Sequence, residues 1–486
     1  MKSASKFEKT AARCWNLLNE GKPFTPIFVF GAMVVFHIEG LLSGDFVPFL
    51  LSFLMTLPLF IIYFHYDFPL FLRNYLWVPV VAYLFIWETP SISLLLWGVG
   101  LYFFFTVFFW GTLYYHLRIG TSWLNFTRFW KLVLKNSDST SGNAQEQLPK
   151  VILLLSVWNG IYLSLVGEEV FSLFQYFIFY ACIFLFTFIL HHFLFDWKPV
   201  PYDSFTSNID PRNDALSERV IVLVIDGMRK ERFYEANTPF LDRLREEGTE
   251  YMNMETVYPA RTVVCFSSMF TGTYPFEHGM KSNMVWKLGL RVESIFDSLR
   301  KVGKNGRMLG IAHLVDSFGK DVDTVTAVMH KDLADRNIIN KAKQIMKEKD
   351  PDLFVVQLIG TDQIGHSRGV LYEEYIEKIQ EADTLLEEFV SELIRDGKME
   401  NTTLIVCADH GQADGIGGHG HLDEGERYVP FFMTGPHIQK GKKIEEKHSL
   451  VSLAPTIAYL MGAPYPDHSR GLVLTEALTE AGDQHG

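Results

Sequence analysis

The sequence predicts an α/β domain with a mostly parallel sheet and helices on both faces, preceded by an all-α transmembrane region of about six helices. Three observations point there. Aliphatic and aromatic residues crowd the first two hundred positions and charged residues the remainder, in a 486-residue chain that is 48% hydrophobic and 15% aromatic. From Ser217 onward, short β-branched runs alternate with helical patterns, the arrangement that builds parallel sheets through crossover helices. Three of those runs end directly in aspartate or histidine, at the sheet edge where open α/β folds bind ligands. The expected division is a multi-span region over 1–200, a linker over 201–216, a catalytic domain over 217–475 and a tail over 476–486.

Six apolar stretches lie near 25–43, 46–66, 69–88, 91–115, 151–167 and 170–195. A helix needs roughly 20 apolar residues to cross a bilayer core, and the fourth and sixth stretches meet that length clearly. Arg73 and Pro79 interrupt the third, and the fifth is short enough to read as a re-entrant or interfacial piece. Lys2, Lys6, Lys9, Arg13 and Lys22 precede the first stretch, and Arg118, Arg128, Lys131, Lys135 and Lys150 follow the fourth. Both basic groups should face the cytoplasm, so six spans leave the following domain cytoplasmic and five would place it outside. Six is the reading adopted, which makes this an integral protein of the cell membrane with the lipid bilayer as a partner. No cleaved signal peptide is expected, because a long polar tail precedes the first stretch and no small-x-small site follows it. Trp123, Phe126, Trp130 and Leu134 recur at helical spacing opposite Arg128, Lys131 and Lys135, as in a helix lying on the membrane surface. Segment 136–149 reads as a polar linker.

The formal net charge of −12 argues against nucleic-acid binding, which needs a basic footprint. Cys14, Cys182, Cys265 and Cys407 are too scattered to read as a disulfide framework.

In the second part, RVIVLVI at 219–225 is a continuous apolar run, as expected of a strand buried on both faces. A helix follows at TPFLDRLREEG, with Thr238 placed to cap, Pro239 first and Gly248 past its end. Further strands are expected at 307–312, 352–359 and 402–408, with helices at 291–302, 335–349 and 372–396. Strand 219–225 ends in Asp226, strand 352–359 leads to Asp362 and His366, and strand 402–408 ends in Asp409-His410. Taken singly, each is an ordinary turn or a solvated side chain. Delivered to one sheet edge, with GGHGH at 417–421 as a further source of imidazole, they make a metal site the better reading. Carboxylate and imidazole donors together suit zinc, with manganese as substitute. Seven candidate ligands are too many for one such ion and suggest two, which can clamp the attacking and leaving oxygens of an in-line displacement.

The nucleophile is sought in YPARTVVCFSSMFTGTYP at 258–275, where a proline-containing turn leads to Thr262 and then a small-residue helix. A helix N-terminus behind Thr262 would favour an anionic phosphate. Arg261 is placed to meet phosphate oxygens, whereas Ser267 and Ser268 sit further into the helix and read as packing.

These residues bring a family into view. Residues 220–475 resemble the alkaline phosphatase superfamily, in its type I phosphodiesterase/nucleotide pyrophosphatase branch. The resemblance is carried by VLVIDGM, NTPFLDRLREEGT, YPARTVVCFSSMFTGTYPFEHGM, IGTDQIGHSRG, CADHGQ and GGHGH…VPFFMTGP. It implies one metal held by Asp226, Thr262, Asp409 and His410 and another by Asp362, His366 and His419, with His421 toward leaving group or solvent. It also implies hydrolysis of a phosphate ester, a diester, through a phosphothreonine at Thr262, on a substrate that in a membrane protein is readily lipid-linked. Membrane-spanning relatives that transfer phosphoethanolamine or glycerol phosphate share this layout, so head-group transfer is the alternative. A non-catalytic binding or transport role fits poorly with a complete ligand set. Sulfatase activity is not expected, since Thr262 lacks the C-x-P-x-R context of that branch.

Overall fold

The computed structural model describes residues 21–68, 70–87, 91–114, 143–167, 172–195, 198–283, 288–325, 333–414 and 418–479, with a few positions between them. The chain divides into two compact units, residues 1–116 with 121–198, and 117–120 with 199–486.

The first unit is helical. Its elements are α1 (Gly21–Phe36), α2 (Ile38–Ser43), α3 (Phe46–His65), α4 (Trp77–Ile86) after a 3-10 stretch, α5 (Ile92–Phe103), α6 (Ala144–Val166) and α7 (Leu173–Leu194). Among the described residues, four helices are long and apolar enough to cross a membrane: Phe46–His65, Ile92–Phe109, Ala144–Val166 and Phe174–Leu194. Consecutive passes alternate in direction. Thr25 near the start of α1 bonds Gln147 at the start of α6, and Tyr66 just past α3 meets His191 near the end of α7. At the opposite end, Trp87 just past α4 stacks on Tyr176 at the start of α7, and Asp45 before α3 bonds Tyr162 near the end of α6. The chain therefore enters this unit at residue 21 and leaves it at residue 198 from the same end.

The central helix is the expected short fifth stretch, which here runs 23 residues. Trp158 on α6 is fully buried among Phe30, Phe49, Phe53 and Phe60, with ring centroids 5.1–6.0 Å away, and its indole N–H donates to Ser52 at 2.9 Å. Polar residues in its first turns broke the hydropathy pattern. Asn143 accepts the Glu146 N–H as a cap, and Glu146 pairs with Lys150 at 2.7 Å, both side chains buried. Residues 143–149, expected as the end of a linker, are thus the cap and opening turns of a buried helix. The rest of that linker lies outside the described residues, as do Phe126, Arg128, Trp130, Lys131, Leu134 and Lys135 of the expected surface helix.

The second unit holds a nine-stranded mixed sheet: β1 (Arg219–Ile225), β2 (Thr249–Glu255), β3 (Gly306–Ile311), β4 (Val322–Val325), β5 (Leu353–Leu358), β6 (Thr402–Cys407), β7 (Tyr428–Val429), β8 (Phe431–Thr434) and β9 (Lys442–Ser449). The order is β4-β3-β5-β1-β6-β8-β2-β7, with β9 beside β2. The first five in that order are parallel; β8 is antiparallel to β6, and β2 is antiparallel to β8 and β7. The sheet is mixed, with five parallel and three antiparallel pairings, and so mostly parallel as expected. β2 (TEYMNME) and β9 (KKIEEKHS) contain no apolar run, so nothing in their local pattern announced a strand.

The helices of seven or more residues among the described residues of this unit are α8 (Pro239–Glu246), α9 (Thr262–Thr271), α10 (Ile295–Lys301), α11 (Ala334–Glu348), α12 (Gly360–Arg368), α13 (Glu373–Arg395) and α14 (Leu453–Leu460). Residues 201–216, expected as a linker, are bonded along this unit: Thr206 to Ser469 and Gly471, Asn208 to Val473, and Leu216 to Leu460. After Arg219 the central strand β1 is apolar and buried throughout, as a strand with covered faces must be. Its register pairs Ile225 with Leu358 and Val224 with Cys407, which aligns the carboxyl ends of β1, β5 and β6 at one edge.

Candidate metal centre and nucleophile

Asp226 follows β1 directly, and Gly227 turns the chain with φ +66°. A Cβ on Gly227 would stand 2.9–3.1 Å from atoms of Asp362, so glycine serves both the turn and the close approach. Its N–H donates to Asp409 Oδ1 at 3.2 Å. Asp362 and His366 lie one turn apart on α12, whose first residues are held by Asp335 through the N–H groups of Ile359 and Gly360 at 2.8 and 3.0 Å. Asp409 and His410 come from the end of β6. His419 comes from a loop gathered by Glu426, whose Oε2 accepts the N–H groups of Gly420, His421 and Leu422 at 2.7–3.0 Å.

These residues, with Thr262, form two adjoining groups. In the first, His410 Nε2 lies 3.3 Å from Thr262 Oγ1, 3.5 Å from Asp226 Oδ1 and 3.4 Å from Asp409 Oδ2. In the second, Asp362 Oδ1 is 3.3 Å from His366 Nε2 and 3.7 Å from His419 Nε2, and the two imidazole nitrogens are 3.0 Å apart. The tautomers follow from the far side of each ring. His410 Nδ1 meets the Gly411 carbonyl and His419 Nδ1 the Ala260 carbonyl, each at 2.8 Å. A carbonyl only accepts, so both Nδ1 atoms carry the proton and both Nε2 atoms present a lone pair to the centre.

The chemistry of this donor set fits divalent cations. Asp226 Oδ1 and Asp409 Oδ2 are buried and lack hydrogen-bond partners, an arrangement that is costly unless a cation faces them. Burial and the neighbouring Asp409 push the Asp226 carboxyl well above the usual carboxylate range, and burial raises Asp409 too. Burial also acts on Asp362, yet His366 and His419 outweigh it and hold this carboxyl below that range. Burial and His410 push His419 down, which favours the neutral ligand form. Asp226, Asp409 and His410 lie close enough to hold one ion, as do Asp362, His410 and His419, and the single Nε2 lone pair of His410 can serve only one of these groups.

Thr262 is the first residue of α9, and the Val263 N–H behind it is accepted by Asn283 Oδ1 at 3.0 Å. Arg261 is buried at the cap position of this helix. Ser267 and Ser268 are bonded within the fold, to the Val263 carbonyl and to His278. Cys265 is buried with its sulfur 3.4 Å from Thr256, and His421 is buried beside the same loop as His419. Asn283, Gln357, Gln412 and Glu426 were not singled out from the sequence. Gln357 left one trace there, as a polar residue inside the apolar run DLFVVQLI.

Comparison with known proteins gives the family. Residues 220–299 match the model of type I phosphodiesterase/nucleotide pyrophosphatase, and residues 301–465 that of the metalloenzyme superfamily. The catalytic subunit of GPI ethanolamine phosphate transferase 2 from Homo sapiens is 24% identical over 292 residues, covering 57% of this chain and 29% of that protein. GPI ethanolamine phosphate transferase 2 from Aspergillus fumigatus is 23% identical over 298 residues, covering 56% and 39%. This chain thus spans about a third of the length of these curated relatives. The solved structure of murine ectonucleotide pyrophosphatase/phosphodiesterase 5 aligns with a TM-score of 0.46 at 15% identity, over 54% of this chain and 100% of that one. The two family models run consecutively through the sheet and the strand-end residues described above, and the second unit of this chain carries type I phosphodiesterase/nucleotide pyrophosphatase and metalloenzyme domains of the alkaline phosphatase superfamily.

Proposed function

We propose that this protein transfers a phosphoethanolamine-type head group from a membrane phospholipid to a hydroxyl of a lipid-linked acceptor. The observation that carries the chemistry is the Thr262 hydroxyl, at the N-terminus of a buried helix and 3.3 Å from His410 in the Asp226–Asp409 group. The choice of transfer over hydrolysis rests on the curated relatives, which are named as ethanolamine phosphate transferases.

In this reading Asp226, Thr262, Asp409 and His410 hold one divalent cation and Asp362, His366 and His419 a second, zinc by donor type with manganese as substitute. Such ions supply charge neutralisation and Lewis acidity toward phosphoryl oxygens. The Thr262 oxygen bonds to phosphorus as the bond to the diacylglycerol oxygen breaks, and diacylglycerol leaves with a proton. The acceptor hydroxyl then bonds to phosphorus as the Thr262 ester breaks and Thr262 regains its proton. Arg261, and Asn283 beside the α9 N-terminus, hold the phosphoryl oxygens during both steps. The helical unit crosses the membrane six times, with apolar residues such as Phe85, Leu96 and Phe174 turned outward to lipid. Residues 21 and 198 then stand on the same side of the bilayer, and the basic tail and loop at that end favour the cytoplasm.

Hydrolysis of a diester is the second reading, favoured by the type I phosphodiesterase match over the segment that contains Thr262. Vesicles of phosphatidylethanolamine labelled in the ethanolamine, incubated with the full chain with and without a GPI glycolipid acceptor, separate the two. Label on the glycolipid supports transfer, and free phosphoethanolamine supports hydrolysis. Unchanged phospholipid in the presence of bound metal would rule out an ethanolamine lipid as donor.

A further inference from the structure

Two buried glutamines hold the carboxylates of the two ligand groups, one glutamine to each group. Gln357 projects from β5, and its Nε2 donates to Asp226 Oδ2 at 2.7 Å. The orientation of this amide is dictated from the other side, because its Oε1 accepts the Ile311 N–H at 2.9 Å. A backbone N–H can only donate, so the end facing Asp226 must be the amide NH₂. With Oδ2 taken, the Asp226 oxygen left over is Oδ1, the atom that faces His410 and has no hydrogen-bond partner. Gln412 follows Asp409-His410-Gly411, and its Nε2 bonds Asp362 twice, at 2.6 Å to Oδ1 and 3.2 Å to the backbone carbonyl. Both partners are acceptors, so this amide is oriented as firmly as the first. Its Oε1 is buried without a partner, a cost the fold accepts to keep the NH₂ on Asp362. Gly365 is shaped around it: a Cβ there would fall 1.7 Å from Gln412 Oε1.

We infer that Gln357 and Gln412 are positioning residues, each fixing the carboxylate of one ligand group where a cation would meet it: Gln357 by occupying the far oxygen of Asp226, and Gln412 by holding Asp362 Oδ1, the oxygen that faces His366 and His419. The inference rests on the two-cation reading of the site. Neither glutamine touches the reacting atoms; each acts through one aspartate, so their effects are separable. Hydrogen-bond partners of ligands are worth ~10–100-fold in metal affinity when removed. Gln357→Met should therefore weaken one of two zinc equivalents by that factor, Gln412→Met the other, and the double variant both.

The test is a calorimetric titration of Zn²⁺ alone into the full chain, purified in detergent and stripped with chelator. The wild type should show two tight equivalents, each single Met variant one tight and one weakened, and the double variant no tight equivalent. Gln357→Glu separates positioning from fold maintenance. It keeps an oxygen for the Ile311 N–H but replaces the donor to Asp226 with an acceptor, so it should bind zinc no better than Gln357→Met. If Gln357→Glu restores wild-type affinity, the glutamine acts only through Ile311 and the inference fails. It also fails if the folded Met variants keep two tight equivalents. If a Met variant does not fold, Gln357→Glu and Gln412→Glu, closer in shape, carry the same comparison. A wild type that binds no zinc or manganese overturns the two-cation reading itself, and this inference with it.

Discussion

Thr262 and His410 lie 148 positions apart in the chain, yet their side chains meet at 3.3 Å between hydroxyl oxygen and imidazole Nε2. The contact brings the first turn of α9 against the end of β6. It places a hydroxyl on the imidazole nitrogen that also faces the carboxylates of Asp226 and Asp409. Replacing Thr262 with alanine should lower turnover on the order of 10⁴-fold or more, as loss of a nucleophile does elsewhere. The variant should still bind zinc, since the carboxylates and imidazoles remain. Steady-state rates beside metal analysis check this, and a Thr262→Ala enzyme with near-normal turnover would remove the nucleophile assignment.

Asp335 makes the stability of the α12 start depend on pH. Burial pushes its carboxyl up to about 6, partly offset by the Ile359 N–H. The folded value exceeds the unfolded one, so the stabilising contribution is fully present below about pH 4 and lost as the pH rises through 6. A shift of about two units corresponds to roughly 3 kcal/mol. Asp335→Asn should therefore gain on the wild type by about 2–3 kcal/mol between pH 4 and pH 7.5 in denaturant melts. A difference that does not change with pH would refute this.

The buried Glu146–Lys150 pair should behave as such pairs do when one partner is lost. Lys150→Met removes the cation from a buried ion pair inside the helical unit and should cost about 3–5 kcal/mol. Glu146→Gln combined with Lys150→Met removes both charges and should recover most of that loss. Unfolding of the detergent-solubilised chain measures both. Equal stability of the single and double variants would show the pair to be energetically inert.

The same-end entry and exit of the helical unit predicts a shared side of the membrane for residues near 22 and near 204. With Cys14 and Cys182 removed, Lys22→Cys and Ser204→Cys should react with a membrane-impermeant maleimide from the same side of sealed vesicles. Labelling from opposite sides would mean an odd number of crossings, and the side that labels fixes where the second unit lies.

The division of labour between sequence and fold can be followed residue by residue. β1, β5 and β6 were legible because strands covered on both faces must be continuously apolar, and Asp226, Asp362 and Asp409 because they end such runs. Thr262 was legible as the first residue of a helix after a proline turn. The apolar passes were legible wherever lipid-facing side chains kept their hydropathy. What the local pattern withheld depends on partners distant in the chain. α6 looked too short because Glu146, Gln147 and Lys150 are polar; Glu146 and Lys150 pair one turn apart, but the burial of that pair and the Thr25 partner of Gln147 appear only once the helices pack. β9 reads as charged because most of it faces water, and it is a strand only through pairing with β2, about 190 residues earlier. Segment 201–216 reads as a linker until its backbone finds residues 460–473. The separation of the seven candidate ligands into two groups was implied by the family resemblance and by no local pattern, and the glutamines that hold them were decided by tertiary structure. Periodicity reports which face of an element is buried, whereas which side chains from distant strands come within 3–4 Å is set by sheet order and register, which no local pattern encodes.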